Sequence, residues 1–495
     1  MLQDGGNAVD AAIAAAVLLG FCEPMMTGLG GDCFVLLKPA GEERIIGLNG
    51  AGRAPAGLDA AALRAAGHAA MPLHHPAAVT VPGAVDAFVR LAADWGRKGL
   101  AACLAPAIRY AEEGVPVAPR VAADWAAAEA SLAGDARRHF LPGGRVPRVG
   151  DIFRAPGQAA VLRRIARDGR AGFYEGEVAE DMVAALRALG GTHTLEDFAA
   201  PACEYVEPIA GGYGGHELVE IPPPGQGATA ILMAKILSHF DLGGLDPFGA
   251  TRAHLEAEAA KLAYDARNRF VADPTGQRLR LAHMLSDETA AGLAGLIDPG
   301  RALPDPARAA EAVHRDTVYL CVVDRDRMAV SVIYSIFHAF GSGLASSRFG
   351  INFQNRGAGF SLQAGHPNEA AGGRRPLHTI IPAMLRREGR VVMPFGVMGG
   401  AYQPAGHVRV MSSMLDFGMD PQAAIDGPRS FPDAEGLQIE SGYAEAVAAE
   451  LAALGHRVRR APRPLGGAQA ILIDHARGVL VGASDPRKDG CALGY

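Results

Sequence analysis

Residues 314–343 read HRDTVYLCVVDRDRMAVSVIYSIFHAFGSG, and within them an Ala-rich, helix-like approach stops at Asp316 and a strand pattern starts at Thr317. A threonine hydroxyl is a weak nucleophile unless a base sits beside it. One solution uses the threonine's own α-amino group, freed by cutting the preceding peptide bond. Such an amine has an ordinary pKa of about 7.7–8.0, close to the ideal for a general base at neutral pH. Cleavage after Asp316 would leave Thr317 terminal and held at the head of a strand. Taken alone, an Asp-Thr step at a strand edge is ordinary, because threonine favours strands.

Other segments bear on that chemistry. Gly396-Val-Met-Gly399-Gly400 follows an apolar strand pattern and precedes a helix pattern, an arrangement that can present backbone N–H groups to an oxyanion. A tight turn explains the same glycines. Gly225-Gln226-Gly227, after Pro222-Pro223-Pro224, reads as a stiff loop, over a pocket or not. The sixteen histidines show no HExxH or comparable spacing, so no metal site is expected. Gly28-Leu29-Gly30-Gly31 has neither phosphate-loop nor dinucleotide spacing.

The elements that must position these residues follow from periodicity. Helices are expected at Ala8–Leu19, Val85–Trp95, Leu104–Glu113, Val178–Leu189, Leu255–Phe270, Gln403–Phe417 and Ala444–Leu454. In Leu255–Phe270 one face carries Leu255, Ala259, Leu262, Ala263 and Ala266. Strands are expected at Cys33–Leu37, Val391–Phe395 and Ala470–Ile473. From Thr317, Val318, Leu320 and Val322 alternate with Tyr319 and Cys321, and Val330–Ile336 resumes after the polar Asp324-Arg-Asp-Arg327. That predicts a hairpin whose turn lacks the Asn-Gly signal. Asp298–Asp316, with three prolines and many alanines, reads as an exposed, mobile linker. Helices followed by strands within one packed unit indicate an α+β layered fold.

Composition excludes several function classes. The chain has 495 residues, 49% hydrophobic and 20% charged, the mix of an ordinary globular protein. Its net charge of −6 and lack of a basic stripe argue against nucleic acid and against a membrane surface. The run Ala11–Cys22 is too short to span a bilayer and follows Asp10. Met1-Leu-Gln-Asp lacks the basic end of a signal peptide, so the expectation is a cytoplasmic protein or a start that lies further upstream. Six scattered cysteines without a CxxC pair read as thiols of a reducing compartment.

Taken in order, Gly5-Gly-Asn-Ala-Val-Asp-Ala-Ala12, Gly28–Asp32, Val81-Pro-Gly83, Pro106–Glu112, Phe173-Tyr-Glu-Gly176, Pro222–Gly227, Thr317–Asp324, Phe340-Gly-Ser-Gly343 and Gly399-Gly400 resemble the γ-glutamyltransferase family of N-terminal nucleophile hydrolases. The resemblance runs nearly end to end and implies a four-layer αββα sandwich made from one precursor. It places Thr317 on the nucleophile, Ser335 on a hydroxyl residue that hydrogen-bonds it, and Gly399 and Gly400 on the oxyanion pair. It also makes Asp316-Thr317 the self-cleavage site, giving a large chain of residues 1–316 and a small chain of 317–495 that stay together. A homodimer of the processed pair is compatible with it. No metal or organic cofactor is implied.

The departures concern the substrate. Family members that act on γ-glutamyl compounds hold the α-carboxylate with an Arg and the α-amino group with an acid. Ala51 and Gly359 occupy those places, with Arg53 two residues beyond Ala51. A Gln becomes Arg356, an Asn becomes Phe337, a Ser-Ser pair becomes His378-Thr379, and a second Thr becomes Val318. The resemblance also leads one to expect a further segment ahead of Gly5-Gly6, which the family usually carries. The pattern is similar to oxamate amidohydrolases and other amidase-like relatives, with Arg53, Arg356, His378 and Thr379 as substrate-binding candidates. The expected activity is self-processing hydrolysis of a small acyl amide, with Arg356 either pairing a substrate carboxylate or serving as a structural or surface arginine. The rivals are a true γ-glutamyltransferase or glutathione hydrolase, its clamp rebuilt from Arg53 and Arg356, and an unprocessed binding protein that kept only the fold.

Overall fold

The computed structural model describes residues 1–201, 203–303 and 317–495. Asp316, the expected residue before the cut, lies outside them. The chain divides into two compact units, Met1–Val206 with Asp316–Ile380, and Glu207–Arg315 with Ile381–Tyr495. These bounds differ from the 1–316 and 317–495 chains expected of cleavage, because residues 317–380 complete the first unit's sheet and core.

The first unit is built on a five-stranded antiparallel sheet in the order Glu204–Val206, Ile46–Gly50, Asp32–Lys38, Ala329–Ser335, Val318–Val323. The two strands Asp32–Lys38 and Ala329–Ser335 are buried along their whole length. The hairpin expected from Thr317 onward is present, with Val318 opposite Tyr334. Its turn works without Asn-Gly because Asp324 organises it. Asp324 Oδ1 accepts from the backbone N–H groups of Asp326 and Met328, each at 3.0 Å. Arg327 takes the left-handed conformation, φ 61°. Asp324 Oδ2 also accepts from Ala8 N at 2.9 Å, fastening the hairpin to the first helix.

That helix, Ala8–Cys22, starts at a capping box in which Asn7 Oδ1 accepts from Asp10 N and Asp10 Oδ2 accepts from Asn7 N. Alanines along it permit close packing on the hairpin and on the helix Leu100–Glu113. The latter begins four residues before the expected Leu104, which leaves Pro106 inside it. Burial outweighs the missing N–H: the first turn puts Cys103 in the core, with Sγ 3.6 Å from Asp10 Oδ1.

The second unit carries a six-stranded antiparallel sheet in the order Val479–Ser484, Gly467–Asp474, Arg390–Met398, Ala383–Arg387, His216–Glu220, Ile209–Tyr213. Helices Gly227–Leu237, Ala250–Phe270 and Gln403–Leu415 pack with one another beside it. Ala250–Phe270 is not the one-faced helix its leucines and alanines suggest. Arg252, His254, Glu256, Glu258, Lys261 and Arg267 on it are all buried. They are buried in partnership: Glu256 accepts from Arg252 Nε at 2.9 Å and from Arg409 Nη1 at 2.7 Å. Breaking such a pair would strand a charge in the core.

The stretch read as a mobile linker is anchored over its first residues. Ala302 N donates to Leu454 O at 2.7 Å, and Leu303 N donates to Glu258 Oε2 at 2.9 Å. Residues 304–316 of that stretch lie outside the described residues. The six cysteines are free thiols, two buried, three half-buried and one, Cys491, exposed. Among the described residues no helix is long and apolar enough to cross a membrane.

Candidate active site

Thr317 immediately precedes the edge strand Val318–Val323 and is buried. Its Oγ1 donates to Ser335 Oγ at 3.1 Å. Ser335 is fully buried at the end of the neighbouring strand, and its Oγ also accepts from Phe337 N at 2.9 Å. To make that second bond the chain turns back on itself, and Phe337 adopts φ 79°. A bulky residue in the left-handed region is strained, a condition found where geometry serves function.

A closed circuit of contacts surrounds this pair. The Arg356 guanidinium lies over the Phe337 ring, 4.2 Å from its centroid. Arg356 Nη1 donates to Thr379 Oγ1 at 2.9 Å. His378, the next residue back, bonds through Nε2 to Asp32 Oδ2 at 2.8 Å. Asp32 in turn is the register partner of Ser335. Thr317, Ser335, Arg356, His378 and Thr379, singled out from five sequence positions, are therefore brought together. All five are buried, so Arg356 is not a surface arginine.

Gly28-Leu29-Gly30-Gly31 makes this convergence possible. A Cβ on Gly31 would sit 2.5 Å from Ser335 O, and one on Gly30 would sit 2.0 Å from Asn352 O. The run is a spacer that lets the Ser335 strand end and the 352–356 segment approach one another.

Arg53 takes a different place. It is half-buried, and Nη1 donates to the Gly373 carbonyl at 3.0 Å. Beside Ala51, where the glutamyl-specific arginine would stand, a different arginine arrives: Arg375 Nε donates to Ala51 O at 2.9 Å. It is ion-paired with Glu204. Gly359 offers no acid, and a Cβ there would press on Leu377 O at 2.6 Å.

In the second unit, Gly399 and Gly400 link the strand Arg390–Met398 to the helix Gln403–Leu415. Gly399 has φ 133° and a Cβ on it would meet Gly466 Cα at 2.9 Å, so only glycine fits. The loop is braced from behind. Gln226 Nε2 donates to Gly400 O at 3.0 Å, and Gln226 Oε1 accepts from Arg267 Nη1 at 2.9 Å. This assigns a role to the Gly225-Gln226-Gly227 loop that its sequence left open.

One trio among the described residues, His254, Glu258 and His456, has the spacing of a metal site. Its atoms are already engaged. His254 Nδ1 meets His456 Nε2 at 2.7 Å, and the Lys261 ammonium sits 2.6 Å from Glu258 Oε1. A cation would have to displace that lysine.

Sequence reasoning missed Asp32 as a hub. Its Oδ1 accepts from Gly52 N at 3.0 Å, Gly83 N at 2.9 Å and Gln354 Nε2 at 2.9 Å. Its one visible signal was an acid at the end of a glycine run.

Burial and the nearby Arg356 lower the pKa of His378 to about 4. The ring is thus neutral when folded, while an unfolded histidine titrates near 6.5. Between those values the unfolded chain binds the extra proton, so stability falls as pH drops from about 6.5 to about 4 and His378 adds no further loss below that. The expected contribution is about 3 kcal/mol. A Tm-against-pH series on wild type and His378→Gln checks it, the variant showing the shallower slope.

Ser335→Ala deprives Thr317 Oγ1 and the Phe337 N–H of their shared acceptor. A tenfold to hundredfold slowing, roughly, of any Thr317 chemistry is expected. Turnover by purified variant and wild type at equal concentration measures it.

The family model for Gamma-glutamyltranspeptidase matches residues 1–495. The chain belongs to the γ-glutamyltranspeptidase family. It is similar to the glutathione hydrolase-like YwrD proenzyme of Bacillus subtilis, 35% identical over 100% of this chain and 95% of that protein. It is equally similar to the oxamate amidohydrolase proenzyme of Klebsiella pneumoniae, 35% identical with the same coverage. Among solved structures, cephalosporin acylase from Bacillus halodurans matches with a TM-score of 0.92 and 39% identity, over 100% of this chain and 93% of that one. The γ-glutamyltranspeptidase-family chain thus has the α+β N-terminal nucleophile hydrolase fold expected of it, with antiparallel sheets and packed helices, and is a hydrolase.

Proposed function

We propose that this chain is a self-processing amidohydrolase with Thr317 as its nucleophile, acting on a small acyl amide that carries a carboxylate. The observation that carries the reading is the buried Thr317 Oγ1–Ser335 Oγ hydrogen bond at the head of the edge strand. Proenzyme relatives support a maturation step. In that step Thr317 Oγ attacks the Asp316 carbonyl, the peptide becomes an ester, and water cleaves it to leave Thr317 with a free amine.

In turnover the amine takes the Oγ proton while Oγ attacks the acyl carbon. Gly399 and Gly400, by family resemblance, supply N–H groups to the oxyanion. Collapse expels the leaving amine with the shuttled proton, and water releases the acid from the Thr317 ester. Ser335 holds Oγ in place through the hydrogen bond it accepts.

Substrate choice follows from what lines the circuit. Neither Ala51 nor Gly359 can clamp a glutamyl group. The Arg356 guanidinium, buried on Phe337 and beside Thr379 and His378, is the natural partner for a carboxylate on a short acyl chain. The oxamate amidohydrolase relative is consistent with that size. A glutathione hydrolase reading gains one observation, Arg375 beside Ala51, but Glu204 already pairs that arginine.

Parallel assays with oxamate and γ-glutamyl-p-nitroanilide decide between them. Loss of both clamps is expected to favour oxamate by about a hundredfold or more in kcat/KM. A preference for the glutamyl substrate would establish the rival, and hydrolysis of neither these nor other acyl amides would point to the inert binding protein.

A further inference from the structure

Asp32 has no role in the chemistry described so far, yet the fold concentrates donors on it. It is fully buried, and among the described residues three N–H donors converge on Oδ1 while His378 alone meets Oδ2. A carboxylate with such partners only accepts, so the proton between it and His378 resides on Nε2. The neutral ring then has a bare lone pair on Nδ1. That atom is buried and meets no hydrogen-bond partner among the described residues. An orphaned buried acceptor asks for a donor that arrives later.

We propose that Asp32 is a positioning residue that fixes the His378 tautomer, so that His378 Nδ1 accepts a hydrogen bond from a substrate N–H beside Arg356. The inference rests on the amidohydrolase reading and sharpens it. The favoured substrate is an acyl amide that carries a donor next to its anionic end. Oxamate has that form: its carboxylate would face Arg356 and its amide N–H would face His378. The matching ester, monomethyl oxalate, has the same anion and no donor.

Asp32→Asn is the informative variant. Its Oδ1 must keep the Gly52, Gly83 and Gln354 donors, so its NH2 is left facing His378 Nε2. That reverses the tautomer and turns Nδ1 from an acceptor into a donor. The expected result is a KM for oxamate raised about tenfold or more, with little change or a fall for monomethyl oxalate. Nitrogen-15 NMR of histidine-labelled protein should show His378 protonated on Nε2 in wild type and on Nδ1 in the variant.

A wild-type spectrum with the proton on Nδ1 overturns the proposal without any variant. So does an unchanged ratio of the two KM values in Asp32→Asn, which would mean that a water alone fills the acceptor. Should Asp32→Asn fail to fold, His378→Gln and His378→Leu replace it. Gln can donate to Asp32 and still offer an acceptor, so it should keep an oxamate KM at least about tenfold lower than Leu does. Equal values for the two overturn the proposal. Wild-type protein that hydrolyses neither oxamate nor its ester fails at the amidohydrolase reading itself, a result distinct from these.

Discussion

Thr317→Ala is expected to remain a single 51.3 kDa chain on a denaturing gel and to hydrolyse no acyl amide. Removing Oγ abolishes both steps assigned to it: attack on the preceding carbonyl, and attack on the substrate. Activity should drop by about four orders of magnitude or more, the scale seen when a covalent nucleophile is deleted. The fold should survive, because Thr317 contributes a side-chain bond at a strand head while its neighbours Val318 and Tyr334 keep the sheet register. Near-unchanged Tm with lost processing is therefore the expected pair of readouts. Thr317→Ser keeps a hydroxyl and, once cut, an α-amine. It should still process and turn over, at a rate reduced by roughly tenfold to a hundredfold through the freer rotamer. Normal hydrolysis by Thr317→Ala would place the nucleophile elsewhere.

Arg356→Met should reduce kcat/KM for oxamate by about a hundredfold to a thousandfold. The methionine fills much of the same volume against Phe337, so the loss reports the charge and not a collapsed pocket. For an uncharged acyl amide the change should stay within about tenfold. Arg356→Lys restores a positive charge without the planar fork that lies over Phe337 and reaches Thr379, and should recover only part of the loss. An equal loss on charged and uncharged substrates, with unchanged Tm, would instead make Arg356 a support for the Phe337 turn.

How much of this was legible in the sequence depends on range. The hairpin after Thr317 was readable because its alternation is local, and so was the helix Ala8–Cys22, whose buried Val9, Ile13, Val17 and Phe21 fall at helical spacing. Thr317, Ser335, Gly399 and Gly400 were readable only through family resemblance, since a Thr or a Gly pair carries little signal alone. Asp32 was hidden because its partners are spread over Gly52, Gly83, Gln354 and His378, which no local pattern connects. Gln226 was hidden likewise, its brace on Gly400 spanning the chain. The turn at Asp324 manages without its usual glycine because Arg327 takes the left-handed conformation and the Asp324 side chain accepts from the turn's N–H groups. The buried charges of Ala250–Phe270 defeated a one-face reading because their partners, such as Arg409, lie far away in sequence.

The central claim is that peptide scission creates the catalytic amine on Thr317. N-terminal sequencing of the smaller chain of purified, active protein tests it most directly. The account predicts Thr-Val-Tyr-Leu-Cys, appearing in wild type and absent in Thr317→Ala. An active protein that remains one uncut chain, or one whose smaller fragment starts at any other residue, would contradict it.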